Sequence, residues 1–198
     1  MGTASMTTGQ FREFAGAVLR SLPDDLDPTT AQGWIENQES LRKILREALT
    51  PDGKPAGNTY PLSVDYGRGV ECAVKSGRYD WANSDVTSRN FPTERKGTVE
   101  VAVELIHFNR HISTGEVHRE LDRMGYRPAE LHELLAFGEK YPEVQREFLI
   151  VALGSVWQDR GGDLRVPRLS RDGSERTLYL GWVEDGWDEI YRFAAIRK

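Results

Sequence analysis

Histidines and carboxylates are the side chains best suited to moving protons near neutral pH, and this chain gathers several of them between residues 100 and 133. His107, His111, His118 and His132 share that stretch with Glu100, Glu104, Glu116 and Glu133. A histidine and a carboxylate held in different environments can divide general-acid and general-base roles, which is hydrolase chemistry. On that ground His107, His111 and Glu133 are the candidate catalytic residues. Their spacing weakens the case. His107 and His111 straddle a strand end, so a four-residue separation does not put them on one helix face. The segment His132-Glu133-Leu134-Leu135-Ala136 lacks the second histidine of a zinc-binding helix. Cys72 is the only cysteine, which leaves no thiolate cluster for zinc and no disulfide within the chain. Ser155 follows a glycine but is not followed two residues later by one, so it is no nucleophile elbow. No phosphate-cradling loop, dinucleotide fingerprint or calcium loop occurs, and neither a metal nor a cofactor is expected.

Two other stretches suit recognition better than reaction. Trp187 follows Gly186 and stands among Glu184, Asp185, Asp188 and Glu189. It reads as an exposed turn aromatic that anchors a basic partner or stacks on a sugar. Trp182 shares alternate strand positions with Leu178 and Leu180, and reads as a core residue. Arg160, Arg165, Arg168, Arg171 and Arg176 could line a ribbon facing nucleic acid, but Asp159, Asp163, Asp172 and Glu175 interrupt it. The candidate partner-contacting residues are therefore Trp187, Glu184, Asp185, Asp188 and Arg168.

The elements that must position these groups follow from periodicity. Phe11, Phe14, Val18 and Leu19 predict an amphipathic helix over 10–21. Asp27-Pro28 is a cap and first-turn pair for a second helix over 28–37, with Trp34 and Ile35 inward. A third, over 38–49, buries Leu41, Ile44, Leu45 and Leu49. Residues 50–60 are rich in Pro and Gly and read as a linker. A strand at 62–66 leads to a short helix stopped by Gly77, and 80–97 reads as a long ordered loop anchored by Trp81. Alternation from Val99 predicts a strand to residue 108. Ser113 and Glu116 make a capping box for a helix over 113–124, with Val117 and Leu121 inward. Pro128 begins another over 128–140. Apolar runs at 149–157, 164–169, 177–183 and 190–196, separated by Gly- and Asp-rich turns, predict a four-stranded antiparallel meander.

The expected fold is therefore α+β: N-terminal helices, a central strand whose two following helices cover one sheet face, and the C-terminal meander. The expected division is a helical element at 6–49, a linker at 50–60 and an α+β domain at 61–198. Met1 to Ser5 read as an added leader ahead of Met6. With 198 residues, 38% hydrophobic and 29% charged, the chain can build a core. Its 26 basic against 31 acidic residues give a net charge of −5, which provides no global attraction to nucleic acid or anionic lipid. No apolar run reaches the 18 or so residues of a membrane span, and a cytoplasmic protein is expected.

The run from His132 to Trp157, together with Tyr79-Asp80-Trp81 and Tyr191-Arg192-Phe193, resembles an uncharacterised protein family of uncultured bacteria. The resemblance extends from about residue 60 to the C-terminus. It implies a bacterial origin and assigns no activity and no site residue. The functional expectation is a non-catalytic interaction or regulatory protein with a protein partner or a second copy of itself. A histidine–carboxylate hydrolase and a nucleic-acid binder are the alternatives.

Overall fold

A computed structural model of the chain describes residues 7–20, 27–48, 59–183 and 186–198. Leu49, Glu184 and Asp185 lie outside the described residues, as does most of the 50–60 segment. The chain divides into two units, Met1–Leu49 and Thr50–Lys198.

The first unit holds α1 (Thr8–Arg20), α2 (Pro28–Glu36) and α3 (Gln38–Ala48). The carboxylate of Asp27 accepts the Thr30 N–H at 3.0 Å, and Pro28 opens the helix behind it. Helix periodicity is thus realised, but among the described residues of α1 and α2 the expected core is not. No described side chain of α1 or α2 is buried, and Phe11, Phe14, Leu19 and Ile35 are exposed. Amphipathic spacing shapes a face; it does not supply what covers it.

The second unit is built on one mixed sheet. Its strands are β1 (Thr59–Asp65), β2 (Trp81–Ala82), β3 (Thr98–Ile106), β4 (Tyr126–Pro128), β5 (Leu149–Val151), β6 (Trp157–Gln158), β7 (Leu164–Asp172), β8 (Glu175–Trp182) and β9 (Tyr191–Arg197). The main order is β1-β3-β9-β5-β7-β8-β2, with β4 beside β9 and β6 beside β7. The helices are α4 (Val70–Gly77), α5 (Thr114–Arg123), α6 (Leu131–Lys140) and α7 (Pro142–Glu147).

Strict alternation of buried and exposed residues in β1 turns Tyr60, Leu62 and Val64 inward. They join Val103, Leu105, Leu169, Leu178 and Ala194 beneath Leu131, Leu134, Leu135 and Phe137 of α6. Each large side chain enclosed there contributes about 1.5–3 kcal/mol. The opposite face carries a second cluster, where Val117 and Leu121 of α5 pack on Val151, Val166, Phe193 and Ala195.

Three sequence expectations are corrected. The helices α5 and α6 cover opposite faces, because β4 intervenes and pairs antiparallel with β9. Pro128 therefore ends a strand, where the sequence suggested the start of a helix. The meander is real only for β5-β7-β8: β9 leaves β8, runs parallel to β5 and antiparallel to β3. Ahead of β9, Trp187 and Ile112 exchange paired backbone bonds, both 2.9 Å.

Candidate functional site

The sequence-selected catalytic residues do not meet. Glu133 sits in the first turn of α6 and is 0% exposed. Arg127 of β4 grips both its oxygens, Nη1 to Oε2 at 3.0 Å and Nη2 to Oε1 at 2.6 Å. The Glu130 N–H donates to Oε2 at 2.7 Å, and the Tyr66 hydroxyl donates to Oε1. Burial first, and then the bond to Glu133, raise the Tyr66 hydroxyl above its usual range. Arg95 extends the chain of charges outward through Glu130, Nε to Oε1 at 2.7 Å. Four donors on one enclosed carboxylate leave no lone pair facing a cavity, so Glu133 holds β4 and α6 together. His107 is exposed with its ring against the Glu189 carbonyl, and His111 is exposed beside Gly186.

His132 has the setting that the other histidines lack. It lines a cleft of about 340 Å³ with Asp65, Arg68, Glu139 and Lys140. Burial lowers its ring below the ordinary histidine pKa, while the Arg68 backbone and nearby acids pull the other way. The Arg68–Glu139 pair, at 2.7 Å, occupies the same cleft. Among the described residues no three His, Cys, Asp or Glu side chains converge as a metal would require.

The aromatic assignment is reversed. Trp187 is only 2% exposed: its Nε1–H donates to Thr114 Oγ1 at 2.9 Å and its ring packs edge-on against Tyr191 and Phe193. It cannot anchor a partner. Trp182 is 47% exposed, with the Arg165 guanidinium 3.8 Å from its ring centroid. Alternation places Trp182 correctly on the side of Leu178 and Leu180, but it stands at the strand's end, opposite Arg165 rather than within the core cluster. Asp188 is exposed.

The five arginines do not form a ribbon. Arg165 is tied to Asp159 at 2.8 Å. Arg176 is buried beneath the helices, and Arg168 lies on the opposite face of the hairpin. Arg160 and Arg171 are exposed.

Arg168 lies on the face that α5 covers over Val151 and Phe193, toward the β7–β8–β2 end where Trp81 and Tyr179 are exposed. Register sets Trp81 beside Thr177 and Thr177 beside Ser170, while Leu149 lies beside Tyr191. The next row runs Tyr179, Arg168, Val151 and Phe193. Cross-strand neighbours share a face, so these side chains stand together. Trp81 is 45% exposed and Tyr179 40%, with ring centroids 5.1 Å apart. The Arg168 guanidinium lies 5.0 Å from the Tyr179 centroid, and its Nη1 donates to the Tyr191 hydroxyl at 2.9 Å. Beneath them, Ser170 Oγ and Arg168 Nε are enclosed without a hydrogen-bond partner among the described residues.

Sequence reasoning missed this pair. The alternation of 177–183 turns Tyr179 away from Leu178 and Leu180, which is the available signal, but nothing local says that this side stays uncovered. Comparison of the chain with family models, curated proteins and solved structures finds no match. No helix among the described residues is long and apolar enough to cross a membrane.

Proposed function

We propose that this is a non-catalytic interaction protein whose recognition surface is the open sheet face around Trp81, Tyr179 and Arg168. The observation that carries this reading is the exposed pair Trp81 and Tyr179, whose rings meet at a tilt on the neighbouring strands β2 and β8. Aromatic rings of this kind supply large contact area at low entropic cost and dominate interface energetics. The apolar faces of α1 and α2, which bury nothing among their own described residues, offer a second element suited to association with a protein or another copy. A random dodecapeptide display selection on the immobilised protein tests the reading. Enriched peptides should bind the wild type and lose most of their affinity on Trp81→Ala with Tyr179→Ala, while thermal unfolding stays unchanged. Binding insensitive to both substitutions would remove the face from consideration.

The His132 cleft favours one rival, a hydrolase using histidine and carboxylate groups. It brings Asp65, His132 and Glu139 to a single concavity. Turnover of an ester panel that disappears on His132→Gln, without loss of folding, would establish it in place of the binding reading.

A further inference from the structure

We propose that the open face takes a basic peptide segment, with an arginine or lysine side chain laid on Trp81 and its charge turned toward Glu175 and Asp172; this rests on that face being the recognition surface. Asp172 and Glu175 are directly opposed at the end of the β7–β8 hairpin. Alternation points both to the side of Ser170, Thr177 and Tyr179. Like charges placed opposite one another are unfavourable, and neither makes an ion pair among the described residues. Glu175 is two residues from Thr177, the strand neighbour of Trp81, so the Cα positions of Glu175 and Trp81 lie about 8 Å apart across the sheet. That is the reach of one extended basic side chain.

The same hairpin already uses this chemistry internally. Arg168 stacks on Tyr179 and Arg165 on Trp182. Trp81 is an exposed ring with no cation over it among the described residues, and cations favour tryptophan above other rings. The nearby carboxylate of Asp80 is engaged by the Arg176 N–H at 2.6 Å, leaving Glu175 and Asp172 as the counter-charges. Ser170 supplies the independent sign of a ligand. It is 7% exposed, stands on the floor of this face two residues from Asp172, and its hydroxyl has no partner among the described residues. A phosphodiester chain would meet the two acids as well as a net charge of −5.

The test is fluorescence anisotropy of the full chain with dye-labelled dodecapeptides in a Gly/Ser/Thr background. One peptide carries three arginines at alternate positions, the others citrulline or glutamate there. The arginine peptide should bind, weaken with salt, and lose about tenfold in affinity on Trp81→Ala or on Asp172→Asn with Glu175→Gln. Citrulline and glutamate should bind more weakly still. Equal binding of the glutamate peptide, or no effect of the two carboxamides, overturns the proposal. So does binding of a single-stranded oligonucleotide by the wild type more tightly than the arginine peptide. If display-selected peptides are non-basic yet need Trp81, the basic ligand is wrong and the recognition face stands. If none of them needs Trp81 or Tyr179, both readings fall. Thermal unfolding of each variant verifies that the sheet is intact.

Discussion

Replacing Arg176 is the sharpest perturbation of the domain's architecture. Its guanidinium is buried, yet no carboxylate pairs with it among the described residues. Nη1 donates to the Gly77 carbonyl at 2.8 Å, Nη2 to the Gly138 carbonyl at 2.6 Å, and Nη2 and Nε to Gln145 Oε1 at 2.9 and 3.2 Å. Gly77 closes α4 and Gly138 lies in the last turn of α6, so the cation faces the negative ends of two helices. Burial lowers its pKa from the usual arginine value. Arg176→Met keeps most of the volume but strands three acceptors, each costing about 1–3 kcal/mol when left unsatisfied. Release of the buried charge offsets part of that, so a net loss of about 3–5 kcal/mol is expected. Arg176→Lys, which keeps the charge but not the fork, should lose about 2 kcal/mol. Urea unfolding followed by tryptophan fluorescence reads the effect: with an m-value of about 2 kcal/mol/M, the midpoint for Arg176→Met falls by roughly 2 M. If both variants unfold within about 0.5 kcal/mol of wild type, the guanidinium is solvated and does not join the helix ends.

Four other outcomes are expected. Trp187→Ala should cost about 3–5 kcal/mol and Trp182→Ala no more than about 1 kcal/mol in chemical denaturation; equal losses would contradict the burial of the one and exposure of the other. Leu121→Ala should cost about 2–5 kcal/mol, since the side chain is enclosed beneath α5, and a loss under about 0.5 kcal/mol would reject that packing. Ser113→Ala should cost about 0.5–2 kcal/mol, because Ser113 Oγ accepts the Glu116 N–H at 3.3 Å and the Glu116 carboxylate returns to the Ser113 N–H at 3.1 Å; unchanged stability would exclude the cap. His132 has a folded pKa depressed below its ordinary 6.5, so its stabilising share is fully present above that pH and is lost as pH falls toward the folded value. His132→Gln should flatten the fall in melting temperature between about pH 7 and 5, and parallel slopes would refute the linkage.

Local chemistry was legible in the residues themselves. The Ser113–Glu116 box and the Asp27-Pro28 start depend on neighbours within a few positions and appear where their patterns placed them, whereas the strand expected over 99–108 ends at Ile106 and the one expected over 177–183 runs from Glu175 to Trp182. The candidate site was far less legible. Trp81 and Tyr179 touch only because β2 adds in parallel to β8 across almost half the chain, and no spacing records that event. Periodicity states which side chains share a face, since it follows from backbone geometry, but burial depends on what arrives from elsewhere. Hence alternation placed Trp182 with two buried leucines while tertiary structure left it at an open end. Acidic, glycine-flanked Trp187 had every local mark of a turn tip, and the crossing that carries β9 between β3 and β5 folded it into the core. Pattern determined most of the helices and the long strands, though not β2 or β4; the order in which the strands met decided which faces were sealed and which remained exposed.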